Sequence, residues 1–177
     1  MEVASVAMEA PVHLDEVAVK AFLTTDYPRI VSAVALVAGS QAAAEDAVAE
    51  ALARAWERSD HGEQIDSLPA WVTRVALNLA KSRLRRLRVE ARHRASPEAT
   101  AEHGDDRVDV ERALATLPRR EREATVLRYH LDLSVAEIAA TLGVTEGTVK
   151  TLLYRARRHL AATLGEPEPD PGEEIEP

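Results

Sequence analysis

The stretch from Ser134 to Leu160, SVAEIAATLGVTEGTVKTLLYRARRHL, admits few folds, because its apolar spacing, its glycine and its capping residues together mark two short helices about a tight turn. Ser134 with Glu137 three residues on has capping-box spacing, and Ile138, Ala139 and Leu142 supply an apolar face. Gly143 ends this helix, since glycine tolerates the left-handed backbone of a helix C-terminus. Val144 then turns toward the core and Thr145 caps a second helix. There Val149, Leu153, Ala156 and Leu160 recur at helical spacing, so one face is buried and the opposite face is fixed. That face presents Glu146, Gly147, Thr148, Lys150, Thr151, Tyr154, Arg155 and Arg158, with Arg157 at its flank. Such a surface suits a recognition helix lying in a DNA major groove beside phosphates. An amphipathic hairpin whose basic face is merely solvated has the same pattern.

The net charge of −8 seems to argue against nucleic acid until it is located. The tail from Ala161 to Pro177 holds six acids and no base, and Ala95 to Arg112 holds six acids against Arg107 and Arg112. Arg74 to Arg94, by contrast, holds eight bases against the single Glu90. Screening cuts off the field within about 8 Å at physiological salt, so the local patch outweighs the total. The acidic tail is either a solvated terminus or an internal competitor of DNA for Arg155 and its neighbours.

With 177 residues the chain holds one ordinary domain or two small ones. Its apolar residues are mostly Ala, Val and Leu, and aromatics make up only 3%, which favours helices packed through small aliphatic side chains. Cysteine is absent, which excludes disulfides and thiolate metal sites. The six histidines, at 13, 61, 93, 103, 130 and 159, lack any HExxH-type spacing, so no metal or other cofactor is expected. No glycine-rich phosphate loop, nucleophile motif or clustered carboxylate pair points to an enzyme. No apolar run approaches the roughly 20 residues of a membrane span, so a cytoplasmic protein without membrane insertion is expected.

The pattern predicts an all-α protein of two small helical domains joined by a flexible acidic linker. Residues 1–13 read as a flexible N-terminus, 14–94 as the first domain, 95–109 as the linker, 110–162 as the second domain and 163–177 as a disordered acidic tail. Within the first domain, helices are expected from Leu14 to Phe22, Tyr27 to Ala38 and Ala42 to Arg58, and from about Ala70 into the basic segment. The second domain adds helices over Val110 to Thr116 and Arg120 to Leu131 before the helix-turn-helix.

Two segments in this order and spacing resemble one family. AEDAVAEALARAW at Ala44 to Trp56 is similar to region 2 of the extracytoplasmic-function (ECF) subgroup of bacterial sigma-70 family RNA polymerase sigma factors, and Leu114 to Leu160, with LP at 117–118, GTVK at 147–150 and RAR at 155–157, is similar to region 4. Between them, PAWVTRVALNLAKSRLRR at Pro69 to Arg86 resembles the family's WL-x-x-IA-x-N segment. The resemblance implies a non-catalytic subunit that binds core RNA polymerase, recognises the minus-thirty-five and minus-ten promoter elements and promotes melting. It implies docking of Asp46, Glu50, Arg54 and Trp56 on the β′ clamp helices, with domain 4 near the β flap. Trp56 has a second reading, as a core anchor. Asn78, Lys81, Ser82, Arg83, Arg85 and Arg86 would meet the minus-ten element, with a loop between Ser59 and Leu68 receiving an unstacked base. The recognition helix, led by Lys150 and Arg155, would read the minus-thirty-five duplex, and an anti-sigma factor is a further partner the family suggests. The chain departs from the pattern at Ala49, Leu52, Leu77 and Leu152, the last placing apolar surface beside the recognition face. A stand-alone helix-turn-helix regulator or a sigma-like adaptor is the alternative.

Overall fold

The computed structural model describes residues 14–93 and 105–164, and these form helices joined by short turns, with no strand among them. The first domain, called domain 2 after the family it resembles, comprises α1 (Glu16–Thr25), α2 (Tyr27–Ala38), α3 (Gln41–Asp60) and α4 (Leu68–His93). The second domain, called domain 4 after the same resemblance, comprises α5 (Asp105–Thr116), α6 (Arg119–Tyr129), α7 (Val135–Leu142) and α8 (Glu146–Leu164), and the buried apolar residues of both domains form one cluster. Helix α5 begins inside the segment read as linker, α4 ends at His93, one residue short of the expected domain boundary, and α8 runs to Leu164, two residues into the segment read as tail. The N-terminus before Leu14, residues 94–104 and the acidic tail from Gly165 lie outside the described residues.

Local chemistry sets the boundaries. Asp15 accepts from the Ala18 amide at 2.8 Å to start α1, and Ser40 accepts from the Ala43 amide at 3.3 Å to start α3. Gly39, at φ 72°, ends α2 in the left-handed region, its amide returning to the Ala35 carbonyl at 2.7 Å. Pro28 falls in the first turn of α2, where its missing N–H costs nothing. The Leu14 amide donates to the buried Ser59 hydroxyl at 3.0 Å, tying the entry of α1 to the end of α3.

Small side chains let the domain 2 helices approach closely. Ala33, Ala44, Ala47, Ala51, Ala55, Ala76 and Ala80 are all buried, with Val34, Val48, Val72 and Leu77 filling the space between them. Phe22 and Tyr27 meet edge to face, centroids 6.4 Å apart, at the α1–α2 corner. In domain 4, Val149, Leu153 and Ala156 of α8 lie against Ile138 and Leu142 of α7 and Leu127 of α6 within one buried cluster, as the apolar period requires.

The two domains are packed together: α2 lies against α6 and α4 against α7. Leu153 has no exposed surface and sits where the supporting helices meet the recognition helix. Leu153→Ala is expected to destabilise domain 4 by about 2–5 kcal/mol, measured as an earlier urea transition in far-ultraviolet circular dichroism.

Candidate nucleic-acid and polymerase interfaces

The recognition helix is positioned by its entry. Ser134 and Glu137 form the expected capping box, the Glu137 amide donating to Ser134 Oγ at 3.3 Å and the Ser134 amide to Glu137 Oε2 at 2.7 Å. Gly143 turns the chain at φ 66°, and Thr145 Oγ1 accepts from the Thr148 amide at 3.2 Å to begin α8. With its apolar stripe buried, α8 exposes Glu146, Gly147, Thr148, Lys150, Thr151, Arg155 and Arg158. Tyr154 is half-buried, with the Arg158 guanidinium 6.0 Å from its ring centroid. The Thr148 hydroxyl is engaged with Thr145 at 2.9 Å, and the Thr151 hydroxyl donates to the Gly147 carbonyl at 2.9 Å. The carriers of charge toward solvent are therefore Glu146, Lys150, Arg155 and Arg158. Leu152 is partly buried against the core, so it adds less apolar surface beside this face than its sequence position implies.

On α3, Arg54 pairs with Glu50 at 2.6 Å, and Arg83 of α4 reaches both Glu50 at 2.9 Å and Asp46 at 3.4 Å. Asp46, Glu50, Arg54 and Arg83 thus form one ionic network. Trp56 stands apart from it, 39% exposed, beside the exposed Ala49 and Ala53. That exposure corrects the reading of Trp56 as a core anchor. Its ring faces water because the inward face of α3 is already filled by Ala44, Ala47, Val48, Ala51 and Ala55.

The residues assigned to the minus-ten element divide three ways. Asn78, Ser82 and Arg85 are exposed on α4. Arg83 lies roughly 140° around the helix from Asn78, at 100° per residue, and turns to the α3 acids. Lys81, only 16% exposed, points to domain 4, its Nζ 3.2 Å from Glu123 Oε2. The side chain of Arg86 lies outside those described.

Glu123 is wholly buried yet has three bases about it: Arg119 Nε at 3.2 Å from Oε1, and Arg120 Nη1 and Lys81 Nζ each at 3.2 Å from Oε2. Burial holds the Lys81 ammonium below the usual lysine range; Glu123 pulls it back up in part, and Arg120 and Arg119 press it down further. A second interdomain tie runs from Arg29 of α2 to Asp132 at 3.1 Å and to the His130 carbonyl at 3.3 Å. Asp132 adopts φ 57°, a left-handed conformation that aspartate tolerates. Near these contacts a cavity of about 330 Å³ lies between the loop before α4 and α7, lined by Gln64, Asp66, Trp71 and Arg74 on one side and Glu137 and Thr141 on the other. None of Glu123, Arg29 or Asp132 was marked by sequence pattern, since the Lys81–Glu123 and Arg29–Asp132 pairs form only when the domains meet. Among the described residues, no group of three or more His, Asp or Glu side chains is placed to hold a metal ion, and no single helix is long and apolar enough to cross a membrane.

The fold and these surfaces define a two-domain, all-helical DNA-reading protein. Residues 22–89 match the model of sigma-70 region 2, and residues 107–160 that of sigma-70 region 4. Among curated proteins, the ECF RNA polymerase sigma factor SigL of Mycobacterium tuberculosis is 35% identical over 138 residues, covering 72% of this chain and 78% of SigL. EcfG of Rhodopseudomonas palustris, another ECF RNA polymerase sigma factor, is 32% identical over 135 residues, covering 71% and 74%. Among solved structures, the sigma factor RpoE of Bartonella quintana, in complex with the anti-sigma factor NepR, matches with a TM-score of 0.73 and 28% identity, over 83% of this chain and 96% of that one. The chain belongs to the ECF RNA polymerase sigma factors.

The exposure of Trp56 has a direct consequence. Trp56→Ala is expected to change the unfolding free energy by about 1 kcal/mol or less, whereas loss of a core tryptophan would cost about 3–5 kcal/mol; urea unfolding distinguishes the two.

Proposed function

We propose that this protein is a promoter-specificity subunit, supplying no catalysis itself and acting in the cytoplasm with core RNA polymerase. The observation that carries the reading is the joint presence of sigma-70 regions 2 and 4, each on its own set of helices, with the basic face of α8 turned to solvent. A stand-alone regulator has use for the second domain alone. Here a separate domain displays an acid–base network and an exposed tryptophan on α3, features suited to reversible docking on another protein. Charges at the rim of such a contact govern encounter and register, while an aromatic supplies the buried anchor.

In this reading Asp46, Glu50, Arg54 and Trp56 meet the β′ clamp helices, and domain 4 lies near the β flap. Lys150 and Arg155 contact the minus-thirty-five duplex, Glu146 accepts from a cytosine amine, and Asn78, Lys81, Ser82, Arg85 and Arg86 hold the minus-ten strand. Arg83, already committed to Asp46 and Glu50, acts first in shaping the α3 surface. Melting needs no energy source, because contacts to an unstacked base and its backbone offset the loss of pairing. Tethering both readers to polymerase raises their effective concentration, so neither has to bind tightly alone. The likeness to a sigma factor bound to an anti-sigma factor extends the partner set to a protein of that kind.

Run-off transcription with purified core polymerase on a fragmented genomic library tests the assignment. New discrete start sites that require this protein are expected, with shared sequence upstream of them. DNA binding without polymerase, and no transcripts, would instead identify a stand-alone regulator. On a promoter so found, Lys150→Ala and Arg155→Ala are each expected to cost about 1–3 kcal/mol of discrimination, or to reduce the salt slope of binding by about one.

A further inference from the structure

We propose that Glu123 is an internal stand-in for a DNA phosphate: domain 4 holds Lys81 with a carboxylate and so withholds this base from the minus-ten face of α4, while Asn78, Ser82 and Arg85 stay exposed, until the domains part. The inference rests on the minus-ten reading of α4 and deepens it. It starts from the distance of 3.2 Å between Lys81 Nζ and Glu123 Oε2, and from the complete burial of Glu123. An ammonium that would track a phosphate along the single strand is instead spent on a carboxylate of its own chain. The same closure brings Glu137 and Thr141 of α7 across the cavity from Gln64 and Arg74, over the loop that would take the unstacked base.

The device is built to release. Burying a charge pair is unfavourable unless every member stays compensated, and removal of one partner commonly strands the other. When the domains separate, Glu123 still has Arg119 and Arg120 on its own helix, and Lys81 regains water. No charge is left buried and unpaired on either side. Burial already disfavours the ammonium of Lys81 in the closed arrangement, so hydration assists its release. The outer tie from Arg29 to Asp132 joins exposed side chains, where an ion pair contributes little and is weakened by salt.

Closure is also one-sided. Lys150 and Arg155 on α8 remain exposed while Lys81 is covered, so duplex DNA has access to domain 4 before single-stranded DNA has access to the whole of α4. Trp56 on α3 is exposed as well, leaving the proposed polymerase surface open.

The full-length protein tests this directly, because a chain without cysteine takes two dyes at chosen sites. Gln41→Cys at the start of α3 and Ala162→Cys near the end of α8 are exposed positions in the two domains. In this labelled protein, Glu123→Gln is expected to lower energy transfer between the dyes. It is also expected to raise affinity for a random single strand of about 12 nucleotides by roughly 3- to 10-fold. Asp132→Ala, a surface change that leaves the buried cluster intact, is expected to move both readouts the same way by less. Lys81→Ala added to Glu123→Gln should keep the domains apart and abolish the gain in affinity. Unchanged transfer and affinity in both Glu123→Gln and Asp132→Ala would overturn the proposal, and so would domain separation with no gain in single-strand affinity. Run-off transcription by the unlabelled wild-type protein reports on the initiation reading separately, whichever way the transfer moves.

Discussion

A carboxylate removed from solvent is costly unless positive charge surrounds it, and the packing of this molecule turns on how that requirement is met at Glu123. Arg119 and Arg120 come from its own helix, but the third base, Lys81, comes from the other domain. The mutual placement of the two domains therefore involves a charge contact as well as the apolar cluster they share. The buried apolar residues form one cluster across both domains, rich in alanine and valine on the domain 2 side and in leucine, isoleucine and valine on the domain 4 side. Apolar packing runs across the junction, and two side-chain charge contacts, Arg29–Asp132 and Lys81–Glu123, cross it as well.

The recognition face follows from a different constraint. Because Val149, Leu153 and Ala156 are buried, α8 has one permitted rotation about its axis, and every polar residue on it inherits a direction. Capping at Ser134 and Thr145 fixes where the helices begin, and Gly143 fixes the angle between them. The basic residues at 150, 155 and 158 thus owe their placement to residues buried beneath them or engaged in the turn. Thr148 and Thr151 show the limit of listing a face from periodicity: both are exposed, but their hydroxyls are engaged within the helix.

Features governed by near neighbours in sequence were legible, and features governed by distant ones were not. Helix α2 runs from Tyr27 to Ala38 as its proline, apolar period and terminal glycine require. The capping box at Ser134 is formed as spacing alone indicates. Helix α5 was missed at its start because the run around Asp105, Asp106 and Asp109 lacks apolar periodicity, the signal on which the helix boundaries were read. The inward lean of Leu152 and the outward ring of Trp56 depend on which faces of α8 and α3 were already occupied. Lys81 and Glu123 lie in different domains, and no local pattern marks residues that become partners across such a gap. Arg83 and Lys81 were assigned one role from one basic run, yet two residues of separation on a helix send them to opposite neighbours.

Helix α4, 26 residues long and so about 39 Å from end to end, carries all three of these surfaces on a single continuous rod. One side holds the α3 network through Arg83, another offers Asn78 and Ser82 to solvent, and a third meets domain 4 through Lys81. A ligand that shifts or rotates the rod at one side alters the free energy of the other two. By linkage the influence is reciprocal: whatever docking on α3 does to the affinity of the exposed α4 face, occupation of that face does equally to docking. The molecule's surfaces are accordingly better regarded as three terms of one binding polynomial than as three independent sites.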